Sequence, residues 1–230
     1  MTNVLSFPKM TINGKVPDSQ PSKYQAFTAA CNTSPNTVNG KVPPLRVKNA
    51  DRRIREHLTQ TEIDQLMDAA RKTGRHGHRD ASLILLGFRH GLRVSELVSL
   101  RWDQVDLSQG TLHVNRSKNG SASTHPLRGI EIRALRRLQR AYGGIYIFTT
   151  ERKGPLTTST VRKIMARAGE KAGLGFPVHP HMLRHSTGYY LANKGMDTRA
   201  IQAYLGHKQI QHTVRYTELS ANRFKDFWSD

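Results

Sequence analysis

Apolar residues recur at helical spacing once the chain passes Thr59. Ile63, Leu66, Met67 and Ala70 fall on one helical face, and Thr59 with Glu62 three residues on forms a capping-box pattern at its start. Gly74 is a stop signal for this helix. A second, more apolar stretch from about Asp80 to His90 predicts another helix, with Gly91 as its C-terminal stop. A short third helix begins near Val94 and carries Glu96, Leu97 and Leu100. The period then changes. Gln104–Leu107, Thr111–Asn115 and Ser123–Leu127 are short runs parted by Ser-Gln-Gly and Lys-Asn-Gly-Ser, which have the composition of turns. Helical spacing returns over 129–141, 158–171, 180–194, 198–205, 211–218 and 221–228, punctuated by Pro177, Gly195 and Gly206. The predicted fold is therefore mostly α, with a small three-stranded antiparallel sheet inserted early.

Residues 1–50 follow no such pattern. They are rich in Ser, Thr, Asn, Pro and Lys, and they read as a flexible or irregular basic segment that DNA could order. Residues 51–230 form the folded part. The chain carries 36 Lys and Arg against 17 Asp and Glu, a formal net charge of +19. Residues 1–50 hold six Lys and Arg and one Asp, so most of the excess lies on the folded part. That distribution favours a binding surface over a basic tail, and a polyanion, nucleic acid first, as the partner. Cys31 is the only cysteine, which excludes an intramolecular disulfide and any Cys-rich zinc site. No apolar run approaches membrane-spanning length and no secretory h-region follows Met1, so a soluble cytoplasmic protein is expected.

Four segments carry candidate chemistry. They are Gly91-Leu92-Arg93-Val94-Ser95-Glu96-Leu97, the turn lysine Lys118, His179-Pro180-His181-Met182-Leu183-Arg184-His185, and Leu205-Gly206-His207 followed nine residues later by Tyr216. Each alone is weak. In this order and at these spacings they resemble the tyrosine recombinase (phage integrase) family over roughly residues 57–220. From His179 to Asp230 the chain looks most like the short recombinases that invert the promoter of fimbrial operons.

The chemistry explains the residue types. A phosphodiester resists attack because its oxygens are negative, so catalysis must neutralise charge that builds on them. Arg93 and Arg184 suit that task, since a planar guanidinium grips two phosphate oxygens and stays charged. The resemblance implies that they form an arginine clamp and that Tyr216 is the nucleophile. It further implies that His181 is the candidate base, His207 a second phosphate donor and Lys118 the general acid for the departing 5′ oxygen. Glu96, three residues after Arg93, would orient active-site groups. The turn around Lys118 departs from the family pattern, with Ser121 and Ser123 where many relatives carry further basic residues. Arg116 is a poor substitute acid, because its pKa is too high. Tyr189, Tyr190 and Tyr204 lie in apolar helical stretches and fit core or interface roles. His181 and His185 are one helical turn apart, but no Cys or carboxylate in 177–190 completes a zinc set.

The resemblance implies cleavage through a 3′-phosphotyrosine, with neither metal nor ATP nor any other cofactor, in a reaction that is either DNA inversion or the integration or excision of a mobile element. It implies double-stranded DNA with paired half-sites as substrate, a homotetramer in the synapse, and possible accessory DNA-bending proteins. Two rivals stay open: a type IB topoisomerase, which shares the residue set but needs no synapse, and a DNA-binding regulator that has lost catalysis. Phe224, Phe227 and Trp228 form an apolar cluster on a tail helix that packs either on its own subunit or on a neighbour.

Overall fold

The computed structural model describes residues 55–117 and 120–218; the N-terminal segment 1–50, Lys118, and the tail helix at 221–228 lie outside them. Helix α1 spans Gln60–Arg71. Its capping box is formed as the sequence predicts, with Thr59 Oγ1 accepting from Glu62 N at 3.3 Å and Glu62 Oε2 accepting from Thr59 N at 2.7 Å. A cap of this kind is worth about 1 kcal/mol. Helix α2 spans Gly77–Arg89 and starts three residues before the predicted Asp80. The reason is a close approach: a Cβ on Gly77 would lie 2.0 Å from the carbonyl oxygen of Arg71, so glycine lets α2 begin directly against the end of α1.

Helix α3 is short, Val94–Val98, and a 3₁₀ turn at Trp102–Gln104 leads into the sheet. Strands β1 (Val105–Asp106), β2 (Thr111–Val114) and β3 (Ser123–Pro126) pair antiparallel in the order β1-β2-β3. All three are shorter than their sequence patterns suggest. Gln104 is lost to β1 because its side chain is spent elsewhere, accepting from Arg101 N at 3.0 Å and donating to His113 O at 2.9 Å. The β2–β3 ladder ends at Val114 opposite Ser123, and Leu127 instead donates to Gly110 O at 2.7 Å. Helices α4 (Gly129–Tyr142), α5 (Thr158–Lys171), α6 (Pro180–Asn193), α7 (Thr198–Leu205) and α8 (Gln211–Glu218) complete the described chain, within one residue of the predicted bounds.

Helices α2 and α6 are buried on most of their circumference: Leu83–Phe88 has no polar face, while α6 buries Arg184, His185, Ser186 and Thr187 with hydrogen-bond partners. They approach closely at Gly87, where a Cβ would sit 3.0 Å from Leu183 Cδ1. Leu83, Ile84, Leu86 and Met182 are fully buried, and each such side chain contributes about 1.5–3 kcal/mol. A second cluster joins α6, α7 and α8 through Tyr189, Ala192, Ile201, Leu205 and Tyr216. Tyr189 is thus a core residue, whereas Tyr190 is 42% exposed. Tyr204 is half-buried and stacks on His125 with ring centroids 4.0 Å apart. Helix α4 turns Leu135 and Leu138 inward and leaves Arg133, Arg136, Arg137 and Arg140 to solvent. No described helix is long and apolar enough to cross a membrane.

Candidate active site

Gly91 ends α2 with φ +57°, a conformation that favours glycine, and turns the chain so that Arg93 caps α3. The backbone N–H of Arg93 donates to Glu96 Oε2 at 2.9 Å, and its Nη1 donates to Glu96 Oε1 at 2.8 Å and to Ser117 O at 3.2 Å. Glu96 is buried and accepts three more hydrogen bonds: from Arg116 Nη1 at 3.1 Å, Ser117 N at 3.0 Å and Ser117 Oγ at 3.2 Å. One carboxylate therefore joins the Arg93 cap to Arg116 and Ser117, which directly precede Lys118 in the sequence.

Arg116 is buried and immobilised. Its Nη2 donates to the carbonyl oxygens of His90, at 3.1 Å, and of Tyr204. Arg184, on α6, is 2% exposed and donates to Gly91 O at 2.6 Å and Leu205 O at 2.7 Å. It is held by the α2–α3 turn on one side and the end of α7 on the other. The left-handed Gly206 (φ +65°) closes α7 and presents His207. The Nδ1 of His207 lies 2.8 Å from the hydroxyl of the fully buried Thr213, which leaves Nε2 as the ring nitrogen available to a ligand.

Tyr216 is 2% exposed, and its ring lies against Gly188 of α6, where a Cβ would come within 2.6 Å of it. Its hydroxyl is 3.0 Å from Nδ1 of His185. The sequence offered His181 as the partner of the tyrosine; the hydrogen bond in the structure is made by His185, one turn further along α6. His181 is exposed, at the mouth of the cleft, with its ring 4.4 Å from that of His185.

A single cleft of about 250 Å³ is lined by Arg93, His181, Arg184, His185, His207, His212, Arg215 and Tyr216. It brings together all the predicted site residues except Glu96, which braces Arg93 from behind, and Lys118, which lies outside the described residues. No carboxylate lines it. Its charge is tuned for an anion. Burial, then the guanidiniums of Arg93 and Arg116, push Arg184 down to about 9, which still leaves it charged at neutral pH. Burial pushes Glu96 upward, but its hydrogen bonds from Arg93 and Ser117 and the charge of Arg116 outweigh that and hold it below the usual carboxylate range. Burial and then Arg184 and Arg93 press His207 to about 3; burial, then His181, Arg215 and Arg184, press His185 to about 3 as well. Burial raises the Tyr216 phenol above its ordinary value, against the opposing pull of Arg184 and Arg215. Arg93 and Arg215 are paired with Glu96 and Glu56, whereas Arg184 is held by the carbonyl oxygens of Gly91 and Leu205.

The histidines set an acid limit on stability. His185, His207 and His125 are each pressed from 6.5 to about 3 in the folded chain. Between those values the unfolded chain binds protons that the folded chain does not, so stability falls as pH falls through the window. Each group contributes up to about 1.4 kcal/mol per pH unit. The urea midpoint of the DNA-free protein should therefore drop steadily from pH 6.5 downward; a midpoint unchanged between pH 7 and pH 5 would contradict these environments.

His185, which lines the cleft, and Arg116, Thr213 and Gly188, which contact Glu96, His207 and Tyr216, are positions to which the sequence reading gave no place in the site. His185 stood in view as the last residue of the His-x-x-Arg-His run, but spacing alone cannot say which histidine faces α8.

Comparison with known proteins agrees with this geometry. Residues 56–223 match the sequence profile of the Phage integrase family. The type 1 fimbriae regulatory protein FimB of Escherichia coli K12 is 42% identical over 185 residues, covering 78% of this chain and 92% of FimB. Among solved structures, the XerA recombinase superposes with a TM-score of 0.65 at 26% identity, over 76% of this chain and 64% of that one. A lambda integrase dimer bound to a COC′ core site superposes with a TM-score of 0.60 at 25% identity, over 76% of this chain and 50% of that one.

Proposed function

The chain belongs to the phage integrase family and is a tyrosine-type site-specific DNA recombinase, and we propose that it works through a covalent 3′-phosphotyrosine at Tyr216, formed with neither ATP nor metal. The observation that carries this reading is the convergence of Arg93, Arg184, His207 and Tyr216 on one carboxylate-free cleft. A scissile phosphate seated there supplies the negative charge that Arg184, held by two carbonyl oxygens, lacks. Arg93 and Arg184 neutralise its non-bridging oxygens, and their bonds to Glu96, Gly91 O and Leu205 O fix them beforehand, so little reorganisation is left for the reaction. His207 donates through Nε2, its orientation set by Thr213. The exposed His181 contacts the phosphate from the mouth of the cleft. Tyr216 Oη attacks phosphorus, the bond to the 5′ oxygen breaks, and Lys118 protonates that oxygen. Ser117, the residue before Lys118, is tied to Glu96. A 5′ hydroxyl from the partner duplex then attacks the phosphotyrosine and the link is rejoined without loss of bond energy.

The substrate is double-stranded DNA with paired half-sites, bound by the arginine-bearing surface of the folded unit. Four subunits form the synapse, with DNA-bending proteins as possible assistants, in the cytoplasm. The 42% identity with a fimbriae regulatory protein supports inversion of a DNA segment as the reaction.

A nicked suicide substrate tests this reading, because the cut strand diffuses away and the covalent complex accumulates. Peptide mapping should place the DNA on Tyr216. Relaxation of plasmids at undefined sites without strand exchange would make the chain a topoisomerase, and absence of any adduct a regulator. Within the same assay, Lys118→Ala should slow cleavage of ordinary DNA by about 10²-fold or more. It should leave cleavage almost unchanged when the bridging 5′ oxygen is sulfur, a leaving group that needs no proton. Equal impairment on both substrates would remove Lys118 from the general-acid role.

A further inference from the structure

The phenolic hydrogen of Tyr216 must go as the oxygen bonds to phosphorus, and the hydrogen bond to that phenol is made by His185 and not by His181, the base that the family resemblance implies. Resting on the recombinase reading above, we propose that His185 is the catalytic group that takes that proton. The geometry is direct, since Nδ1 of His185 is 3.0 Å from the phenolic oxygen, within the range that proton transfer requires. Other groups near the phenol serve worse. Arg184 and Arg215 are cations with no acceptor atom. His207 stacks beside Tyr216 with centroids 6.3 Å apart, but its Nδ1 is engaged with Thr213. Both partners are held in place: Gly188 and Tyr189 of α6 pack against the Tyr216 ring, and His185 lies on the same helix, 8% exposed. A neutral His185 presenting its Nδ1 lone pair accepts the bond from the phenol, so the hydrogen already points along the transfer path.

The step balances. The O–H electrons of Tyr216 become the new O–P bond, the proton moves to Nδ1, and His185 becomes imidazolium. The P–O5′ bond breaks, and its electrons accept a proton from Lys118. In the second half the incoming 5′ hydroxyl returns its proton to Lys118, and Tyr216 leaves phosphorus and retrieves its own from His185. The charged neighbours make this base conditional. His181 and Arg184 on α6, His179 just before it and Arg215 on α8 all oppose a positive His185, and Arg215 is itself paired with Glu56. A docked phosphate offsets Arg184 and Arg215 and so raises the proton affinity of His185 when the nucleophile is needed.

His185→Asn separates chemistry from packing. The Asn Oδ1 occupies nearly the position of the imidazole Nδ1 and accepts the phenolic hydrogen bond, but it does not take up a proton. The expected result on a suicide substrate is unchanged DNA affinity with cleavage slowed by about 10²-fold or more. Replacing Tyr216 with a ring-fluorinated tyrosine, whose phenol ionises more readily, should then rescue the His185→Asn chain far more than the unaltered one. Cleavage by His185→Asn within threefold of normal, or equal acceleration of both chains by fluorination, would overturn the proposal. If His185→Asn does not fold, the fluorinated tyrosine in the otherwise unaltered chain decides. The acid limb of its pH–rate profile stays in place if His185 accepts the proton, and it moves down with the phenol if hydroxide does. An unaltered chain that traps no DNA on Tyr216 would overturn the recombinase reading itself, an outcome distinct from any of these.

Discussion

Tyr216→Phe leaves a chain that folds, binds its DNA and forms no covalent complex with it. The ring of Tyr216 belongs to the cluster of Tyr189, Ile201 and Leu205 and fits against Gly188, and phenylalanine keeps all of that apolar surface. What disappears is one oxygen and its hydrogen bond to His185. That bond contributes about 0.5–1.5 kcal/mol to stability, partly offset because the phenol is no longer desolvated. The effect on chemistry has no such bound. Tyr189 is a core residue with its own packing, and its ring meets Tyr216 edge-on at 5.0 Å, so it cannot take over the attack without dismantling the cluster. A gel-shift titration and a suicide-substrate trap on the same preparation check the prediction. A residual adduct in the Phe chain would assign the nucleophile elsewhere.

The next largest effects belong to the two arginines, and they should differ in kind. Removing transition-state stabilisation of this type costs about 10²–10³ in rate, so Arg93→Ala and Arg184→Ala should both slow cleavage by at least that much while weakening DNA binding far less. Only Arg184→Ala should also unfold easily. The Arg93 side chain is 22% exposed, and its loss leaves Glu96 with Arg116 and Ser117 as partners. Arg184 is buried, and its loss strands the carbonyl oxygen of Leu205 at about 1–3 kcal/mol and leaves Gly91 O with only the longer bond from Arg116 Nη1, at 3.3 Å. Thermal melts beside single-turnover cleavage separate the cases. A binding defect as large as the rate defect would make either residue a docking group.

Much of this molecule is legible in its sequence, for reasons particular residues make plain. Local signals are self-contained: the Thr59–Glu62 box, and Gly91, Gly195 and Gly206 at positive φ, mark helix ends without reference to anything distant. The motif spacings bring Arg93, His181, Arg184, His207 and Tyr216 to one cleft as expected. What the sequence could not convey is partnership across long separations. Arg116 looks like one more surface cation until its contacts with His90, Tyr204 and Glu96 show it threaded through the core. His185 and His181 are indistinguishable by residue type, and only the docking of α8 on α6 selects which one meets the phenol. Gln104 was assigned to a strand because its side-chain hydrogen bonds, to Arg101 and His113, are invisible to a period-two pattern.

The burial of Tyr216 bears on how such a protein avoids damaging the genome it searches. A chain of charge +19 touches phosphates indiscriminately, and wrong sites vastly outnumber right ones. With Arg184 and the proposed nucleophile Tyr216 each 2% exposed, a chance encounter leaves a phosphate short of both. On the proposed mechanism, cutting then depends on contacts that seat the phosphate against both residues, and a correct, fully occupied site supplies more of these than a chance one. Fidelity then resides less in how tightly wrong DNA is held than in whether holding it commits the protein to act.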